Sequence, residues 1–266
     1  MASPTPSYTK LTYSATYPAI DPTLPALSTS GKVILVTGAS GGIGRAASLS
    51  FAASGPKSLV LLGRKPDALA ETANLVRSRH GDLAVETHQV DLCDAPGLRA
   101  VFDSVASKLG TIDVLVHCAG VLAPVVPLME ADPATFMDSY KTTVVGTLAL
   151  AQAFVGANNQ SAAGAAGHHL PKPDHGRHPV PALPRSSRRR TPTCACTTFT
   201  PADFLVWIAS PEAKFLHNKI VFASWDVEEL KSRETAIVGG PPGTGELWLG
   251  YQGFPRYISG QSLGRP

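Results

Sequence analysis

The sequence has little cysteine and no long apolar run, and each shortage excludes a class of protein. Its four cysteines form no CxxC pair and no disulfide-framework spacing, which favours a reducing, cytoplasmic location. No run reaches the roughly 18 apolar residues that a transmembrane helix needs, so no membrane partner is expected. No apolar stretch follows a basic start at the amino terminus, so no secretory signal is expected.

Tyrosine is also scarce, and positive charge is concentrated in one segment. No tyrosine occurs between Tyr140 and Tyr251. Residues 157–198 hold six basic residues and one acidic, a net charge of +5, whereas the whole chain carries +3 and the remainder therefore −2. A basic tract at 187–190 could attract nucleic acid, but it lacks aromatic residues and a recognition helix, so no nucleic-acid partner is expected.

The most informative stretch is residues 32–45, KVILVTGASGGIGR. Residues 33–36 predict a short buried strand, and small helix-forming residues follow from Gly42. The glycines between them would let a pyrophosphate approach the backbone, and the helix N-terminus offers free N–H groups and a partial positive charge. A strand, a glycine-rich turn and a helix in this order predict a dinucleotide site, with an ordinary α/β turn as the alternative.

Strands and helices alternate beyond this stretch. Further apolar strands are predicted at 58–62, 83–90 and 112–116, with helices over 66–79 and 94–109 between them. Alternation of this kind implies a parallel sheet covered on both faces. We therefore predict an α/β fold, a Rossmann-like doubly wound parallel sheet with strand order 3-2-1-4, followed by a long helix over 131–157.

The glycine spacing is T-G-x-x-x-G-x-G rather than G-x-G-x-x-G. This pattern resembles that of the short-chain dehydrogenase/reductase family, and residues 17–28 and 201–230 are similar to stretches of its fungal members. The resemblance covers residues 8–156 and 201–230. It implies an NAD(P)-dependent oxidoreductase that moves a hydride between the nicotinamide and a small-molecule carbonyl or alcohol.

The resemblance also implies which residues bind the cofactor. They are Thr37, Gly38, Ser40, Gly42, Ile43, Gly44, Arg64, Asp91, Leu92, Cys118, Ala119 and Gly120. At the end of the second strand an acid would select the ribose 2′-hydroxyl of NAD, whereas an Arg accommodates the 2′-phosphate of NADP. Arg64 stands there without an acid, which predicts NADP(H) over NAD(H). Alternatively, Arg64 only begins a solvated loop, and Asp91 caps the N-terminus of the next helix.

Two positions near the expected cofactor depart from the family. Residues 117–120, His-Cys-Ala-Gly, stand where the family has Asn-Asn-Ala-Gly, and Cys118 lacks the amide that helps to hold the strand ends together. Thr143 stands where the family has an Asn that supports the active-site lysine. Nothing in the sequence near Cys118 predicts a lowered thiol pKa, so no redox role is expected.

The catalytic part of the family pattern is missing. The family has a Ser after a fifth strand and then Tyr-x-x-x-Lys, in which the Lys lowers the pKa of the proton-donating Tyr. None of the six tyrosines here is followed four residues on by Lys. We therefore assign no catalytic residue, and we predict little or no turnover, as in a pseudoenzyme.

A Pro-, Arg- and His-rich segment, 157–199, takes the place of that region, and we predict that it is disordered. Six prolines lie between Pro171 and Pro192, without helical or strand periodicity. Its histidines and cysteines fit no zinc spacing, so no metal is expected. The abrupt change at both ends is also compatible with an intron or shifted frame read as protein, in which case the native protein is an active reductase.

Five segments result, and the sheet is predicted to be incomplete on its far side. They are an extended arm at 1–30, the dinucleotide-binding half at 31–156, the disordered segment at 157–199, a helix (202–209) and strand (220–223) within 200–230, and an irregular tail at 231–266. Besides an impaired oxidoreductase, a non-catalytic NADP-binding protein and a basic-tract interaction protein stay as alternatives. The family commonly dimerises through helices near its fifth and sixth strands, so a homo-oligomer stays an open expectation.

Overall fold

The computed structural model describes residues 7–165, 199–239 and 246–247, and the backbone of 257–258 and 261–262. Its centre is a four-stranded sheet. Strands and helices alternate in the chain order β1 (Val33–Thr37), α1 (Gly42–Ala53), β2 (Ser58–Gly63), α2 (Pro66–Arg79), β3 (Ala84–Gln89), α3 (Ala95–Leu109) and β4 (Val114–His117). The order across the sheet is β3-β2-β1-β4 and every pairing is parallel, which confirms the predicted fold class.

The helix after β4 differs from the single long helix predicted over 131–157. It consists of α4 (Pro133–Tyr140), a π-helical turn (Lys141–Gly146) and α5 (Thr147–Ala165). The disorder predicted from residue 157 is therefore wrong for 157–165, where the backbone continues as helix. The rest of that segment up to 198 lies outside the described residues.

The carboxyl-terminal part is helical. It contains α6 (Phe199–Ile208), a 3₁₀ helix (Pro211–Leu216), α7 (Val227–Ser232), α8 (Glu234–Val238) and a two-residue antiparallel pairing of β5 (Tyr257–Ile258) with β6 (Gln261–Ser262). An irregular tail was predicted from residue 231. This prediction is wrong for the end of α7, for α8 and for β5 and β6.

The strand predicted at 220–223 is also wrong. A strand forms when a neighbour supplies its hydrogen bonds, and within the described ranges no strand lies beyond β4 to receive this segment. The Ile220 amide donates one hydrogen bond, to the Leu247 carbonyl at 3.0 Å, and the nearest isolated β-bridge joins Trp225 to Thr12. An apolar run alone could not reveal that no described strand lies beside it.

Both faces of the sheet are buried, because successive side chains of β1 point to opposite layers. Ile34 and Val36 belong to the apolar layer formed with α1, α2 and α6. Val33 and Leu35 belong to the layer formed with α3 and α5. This explains why β1, VILVT, shows no alternation of polar and apolar residues.

The amino-terminal arm holds the carboxyl-terminal helices against this sheet. The buried carboxylate of Asp203 on α6 accepts hydrogen bonds from Thr16 of the arm and from Ser50 of α1, each at 2.5 Å. The Tyr17 hydroxyl donates to the Trp225 carbonyl and accepts from the Val227 amide, both at 3.0 Å. The arm was predicted to be extended, but it also contains two single-turn 3₁₀ helices, Pro18–Ile20 and Pro25–Leu27.

The described part of the chain lacks two features that would indicate a function. None of its helices combines the length and the apolar character that crossing a bilayer requires. It also contains no group of three or more His, Cys, Asp or Glu side chains placed to hold a metal ion. The histidines and cysteines between His168 and Cys196 lie outside those residues.

Candidate functional site

The carboxyl ends of β1, β2 and β4 open into a groove of about 420 Å³. The chain leaves β1 towards β2 on one side and returns to β4 on the other, so the connections diverge at β1. Such a divergence leaves a crevice at the carboxyl ends of the strands, where open α/β sheets bind their ligands. The groove is therefore the candidate functional site.

Two glycines allow the backbone segments around the groove to approach closely. Gly38, at the end of β1, has a φ of +70°, and a Cβ there would lie 2.8 Å from the Ala119 backbone. A Cβ on Gly44 would lie 2.2 Å from the Gly38 carbonyl oxygen. The ends of β1 and β4 and the first turn of α1 thus meet at distances that a side chain would prevent.

All twelve residues predicted to bind the cofactor line this groove. From β1 and the first turn of α1 come Thr37, Gly38, Ser40, Gly42, Ile43 and Gly44; from the ends of β2, β3 and β4 come Arg64, Asp91, Leu92, Cys118, Ala119 and Gly120. The groove is also lined by Gly41, Lys65 and Thr142, which were not among the predicted residues. Contact of any of these residues with a dinucleotide stays a prediction.

The end of β2 carries positive charge into the groove. Nη1 of Arg64 lies 3.8 Å from Oδ2 of Asp91, and the two side chains are 59% and 44% exposed. Because such an exposed pair is weak, the Arg64 guanidinium can exchange this contact for a ligand anion. Lys65 adds a second cation beside it. The sequence could have identified Lys65 as a groove residue, because it directly follows Arg64.

His117 connects the strand ends to the following helix, a role that the sequence did not indicate. Its Nδ1 lies 2.8 Å from Oγ1 of Thr37, and its Nε2 lies 2.9 Å from Oγ1 of Thr147. The Thr147 hydroxyl donates to the Thr143 carbonyl, so it can only accept from Nε2–H. Burial lowers the pKa of His117, which keeps the ring neutral and leaves Nδ1 to accept from Thr37.

This chain of hydrogen bonds supplies what Cys118 cannot. The Ala119 amide also donates to Oγ1 of Thr37, at 3.3 Å, so β1, β4 and α5 are joined at one point. The hydrogen bonds of the His117 imidazole therefore take the place of those that an Asn amide at position 118 would make between the strand ends. Burial raises the pKa of the Cys118 thiol to about 11, so the thiol is protonated at neutral pH.

We expect Cys118 to react slowly with iodoacetamide at neutral pH, because the thiolate is the nucleophile. A pKa of about 11 leaves roughly a hundredfold less thiolate than a pKa near the ordinary 9.0. The rate for the Cys118 peptide, followed by mass spectrometry, should rise with pH until about pH 11. The same peptide in urea-unfolded protein is the control, and a plateau near pH 9 in the folded protein would contradict the assignment.

Thr143 does not extend into the groove. Its hydroxyl and that of Ser139 both donate to the Val121 carbonyl, at 3.3 and 2.6 Å. Among the described side chains it has no lysine partner of the kind that the family resemblance implies for this position. The Thr143 hydroxyl is therefore engaged by the loop after β4.

The family follows from a comparison with known protein families. A family model described as short chain dehydrogenase matches residues 32–165, half of the chain. The chain belongs to the short-chain dehydrogenase family. The match covers the whole groove-forming unit, from β1 to α5.

Relatives of this short-chain dehydrogenase include fungal proteins that match over most of their length. It is 27% identical to "Short chain dehydrogenase mpl6" of Monascus purpureus, over 86% of this chain and 92% of that protein. It is also 27% identical to "Short chain dehydrogenase/reductase" of Claviceps purpurea, over 85% of this chain and 88% of that protein. A solved short chain dehydrogenase from Pseudomonas syringae, 34% identical, superimposes over 52% of this chain and 56% of its own, with a TM-score of 0.47.

Proposed function

We propose that the protein binds NADP(H) in the groove and has little or no carbonyl-reducing activity. Members of its family are oxidoreductases that bind NAD(P). The observation that carries the proposal is the groove itself, with a glycine-lined floor, a helix N-terminus at one wall and two cations at the end of β2. The substrate class, a carbonyl or alcohol, is proposed from the family alone.

The residues present fit a dinucleotide. A pyrophosphate needs backbone N–H groups and no obstructing side chains, and Gly41, Gly42 and Gly44 provide this at the start of α1. Arg64 and Lys65 would hold a ribose 2′-phosphate, while no acid of β2 competes for a 2′-hydroxyl. We therefore propose that the adenosine end lies near β2 and the nicotinamide end near Ala119 and Gly120.

The bound cofactor would supply hydride chemistry, and the chain's own contribution is to bind and orient it. Thr37 and His117 fix the strand ends that form the floor of the groove. The proton of the His117 ring is on Nε2 and is donated to Thr147, while Nδ1 accepts from Thr37, so the ring has no proton free to donate to a substrate. The thiol of Cys118, with a pKa of about 11, stays protonated. The described residues thus form a binding site without an evident proton donor for a substrate oxygen.

The preference for NADP(H) is tested by the substitution Arg64→Ala. We expect NADPH affinity to fall about 10- to 100-fold, since a charge-assisted hydrogen bond contributes about 1.5–3 kcal/mol, and NADH affinity to change less than about twofold. Quenching of protein fluorescence during titration measures both. Arg99→Ala, which removes the same charge from the exposed surface of α3, should leave both unchanged.

The outcomes separate the two parts of the proposal. If the wild-type protein binds neither nucleotide, the proposed function is wrong. If it binds NADPH and NADH equally and Arg64→Ala has no effect, nucleotide binding stands but the preference for the phosphorylated cofactor does not.

A further inference from the structure

A second hollow, of about 780 Å³, lies at the opposite end of β1 from the nucleotide groove. Lys32, which directly precedes β1, lines one side of this hollow, the basal pocket. Its other side is formed by the end of α6, by the 3₁₀ helix Pro211–Leu216 and by the two residues that follow. The volume of the basal pocket is in the range of small-molecule binding sites.

Two lysines of the basal pocket lack a partner for their charge. Lys32 and Lys214 both line it, and neither ammonium group pairs with a carboxylate in the part of the chain that the structure describes. Glu212 is the acid nearest to Lys214 in the sequence, but its carboxylate lies 3.1 Å from Nζ of Lys231. Two unpaired ammonium groups on one concave surface attract an anion and can donate hydrogen bonds to its oxygens.

The basal pocket is also lined by a buried hydroxyl that has no hydrogen-bond partner. Ser210 is 7% exposed, and its Oγ neither donates nor accepts a hydrogen bond within the described residues. The residue directly precedes the 3₁₀ helix, yet its side chain does not cap that helix. An unpaired buried hydroxyl costs free energy, and native proteins contain few of them. An acceptor oxygen bound in the pocket would supply the missing partner.

The remaining wall of the basal pocket combines apolar and polar side chains. Ile208, Ala213 and Leu216 provide apolar surface, while His217 and Asn218 are polar and exposed. Apolar surface beside two cations favours a ligand that carries its charge at one end and an apolar group at the other. Inorganic phosphate alone would use the charges but not this surface.

We propose that the basal pocket binds a phosphate monoester with an apolar body, whose phosphoryl oxygens accept hydrogen bonds from Lys32, Lys214 and Ser210. A phosphate monoester carries a charge of about −1.5 to −2 at pH 7 and has three acceptor oxygens, which matches two ammonium groups and one hydroxyl. Each lysine holds its charge on a flexible four-carbon stem, so both charges can approach one phosphoryl group. This site does not depend on the binding of NADP(H) in the groove.

The test is isothermal titration calorimetry of the full chain with 1-naphthyl phosphate. We expect saturable binding that Lys32→Gln and Lys214→Gln each weaken about tenfold, the size of a charge-assisted hydrogen bond. Lys108→Gln is the matched control, because it removes the same charge from the exposed last turn of α3, and it should leave the affinity unchanged. The neutral probe 1-naphthol should bind more weakly than the phosphate and should not respond to either lysine variant.

A second comparison isolates the buried hydroxyl. Ser210→Ala should weaken binding of 1-naphthyl phosphate about tenfold. Without ligand it should leave the urea midpoint unchanged or higher, because the hydroxyl has no hydrogen bond to lose. An unchanged affinity would remove Ser210 from the site, and a lower midpoint with unchanged affinity would show that its role is structural.

The nucleotide groove also carries cations, so Arg64→Ala is measured in parallel. Binding of 1-naphthyl phosphate that responds to Arg64→Ala but not to Lys32→Gln or Lys214→Gln would assign the probe to the groove and overturn the basal pocket. Absence of saturable binding would overturn it as well, whatever NADPH does. Binding that responds to the two lysine variants, without any binding of NADPH, would support the basal pocket and refute the nucleotide site.

Discussion

Mixed with NADPH and a neutral ketone, the protein should bind the nucleotide but oxidise it at no more than about one hundredth of the rate of a relative that carries Tyr-x-x-x-Lys. The reason is the missing proton donor, because no tyrosine of the chain is followed four residues on by lysine. General acid catalysis by a positioned side chain contributes about 10²- to 10⁴-fold to a rate. We therefore expect at least a hundredfold lower kcat than that of an intact relative.

The described residues offer no substitute for that donor. Tyr140 is exposed at the end of α4, but residues adjacent in a helix project in different directions, so Lys141 does not face its phenol. The neighbouring residues Phe136, Met137, Thr143 and Val144 carry no charge. Both ring nitrogens of His117 are already hydrogen-bonded.

The measurement is the loss of NADPH absorbance with a panel of neutral ketones, with a family member that carries Tyr-x-x-x-Lys and reduces the same ketones assayed in parallel as the control. Turnover above about one hundredth of that relative's would contradict the prediction. The donor would then have to come from residues outside the described part of the chain. The transcript across residues 150–205 would show whether the native protein has another sequence there, with Tyr-x-x-x-Lys restored.

The sequence predicts the groove well because its determinants are local. The apolar run of β1, the glycines after it and Pro66 at the start of α2 each fix a strand, a turn or a helix end through neighbouring residues. The helix predicted over 66–79 has these bounds in the structure. Once four strands alternate with helices, the parallel order follows from the preferred connections.

What the sequence could not predict depends on partners distant along the chain. An apolar segment such as 220–223 becomes a strand only when another strand is beside it, and no described strand takes that place. The hydrogen bonds of His117 need Thr37 and Thr147, which lie 80 and 30 residues away. The π-helical turn at Lys141–Gly146 likewise has no pattern that distinguishes it from α-helix.

The second large effect that we expect is on folding, from Gly44→Ala. A Cβ at this position would lie 2.2 Å from the oxygen and 2.6 Å from the carbonyl carbon of Gly38, so the backbone itself would have to move. Overpacking typically costs about 1–3 kcal/mol, and contact with backbone rather than with a flexible side chain favours the upper end. We expect a loss of about 3 kcal/mol in the free energy of unfolding.

The shift would also reach the site. Gly38 has a φ of +70° and approaches Ala119, so displacing it disturbs the junction of β1 and β4 that forms the floor of the groove. NADPH affinity of the folded fraction should therefore fall at least tenfold. Urea unfolding followed by circular dichroism gives the stability, and titration well below the unfolding midpoint gives the affinity.

Gly156→Ala is the matched control, because it makes the same substitution within a helix. A Cβ on Gly156, in α5, would meet nothing within 4 Å. Alanine is favoured over glycine in a helix by about 1 kcal/mol, so this variant should be slightly more stable than wild type. If both variants raised the urea midpoint, the effect of Gly44→Ala would arise from helix propensity, and the close approach of α1 to the end of β1 would not be what requires glycine.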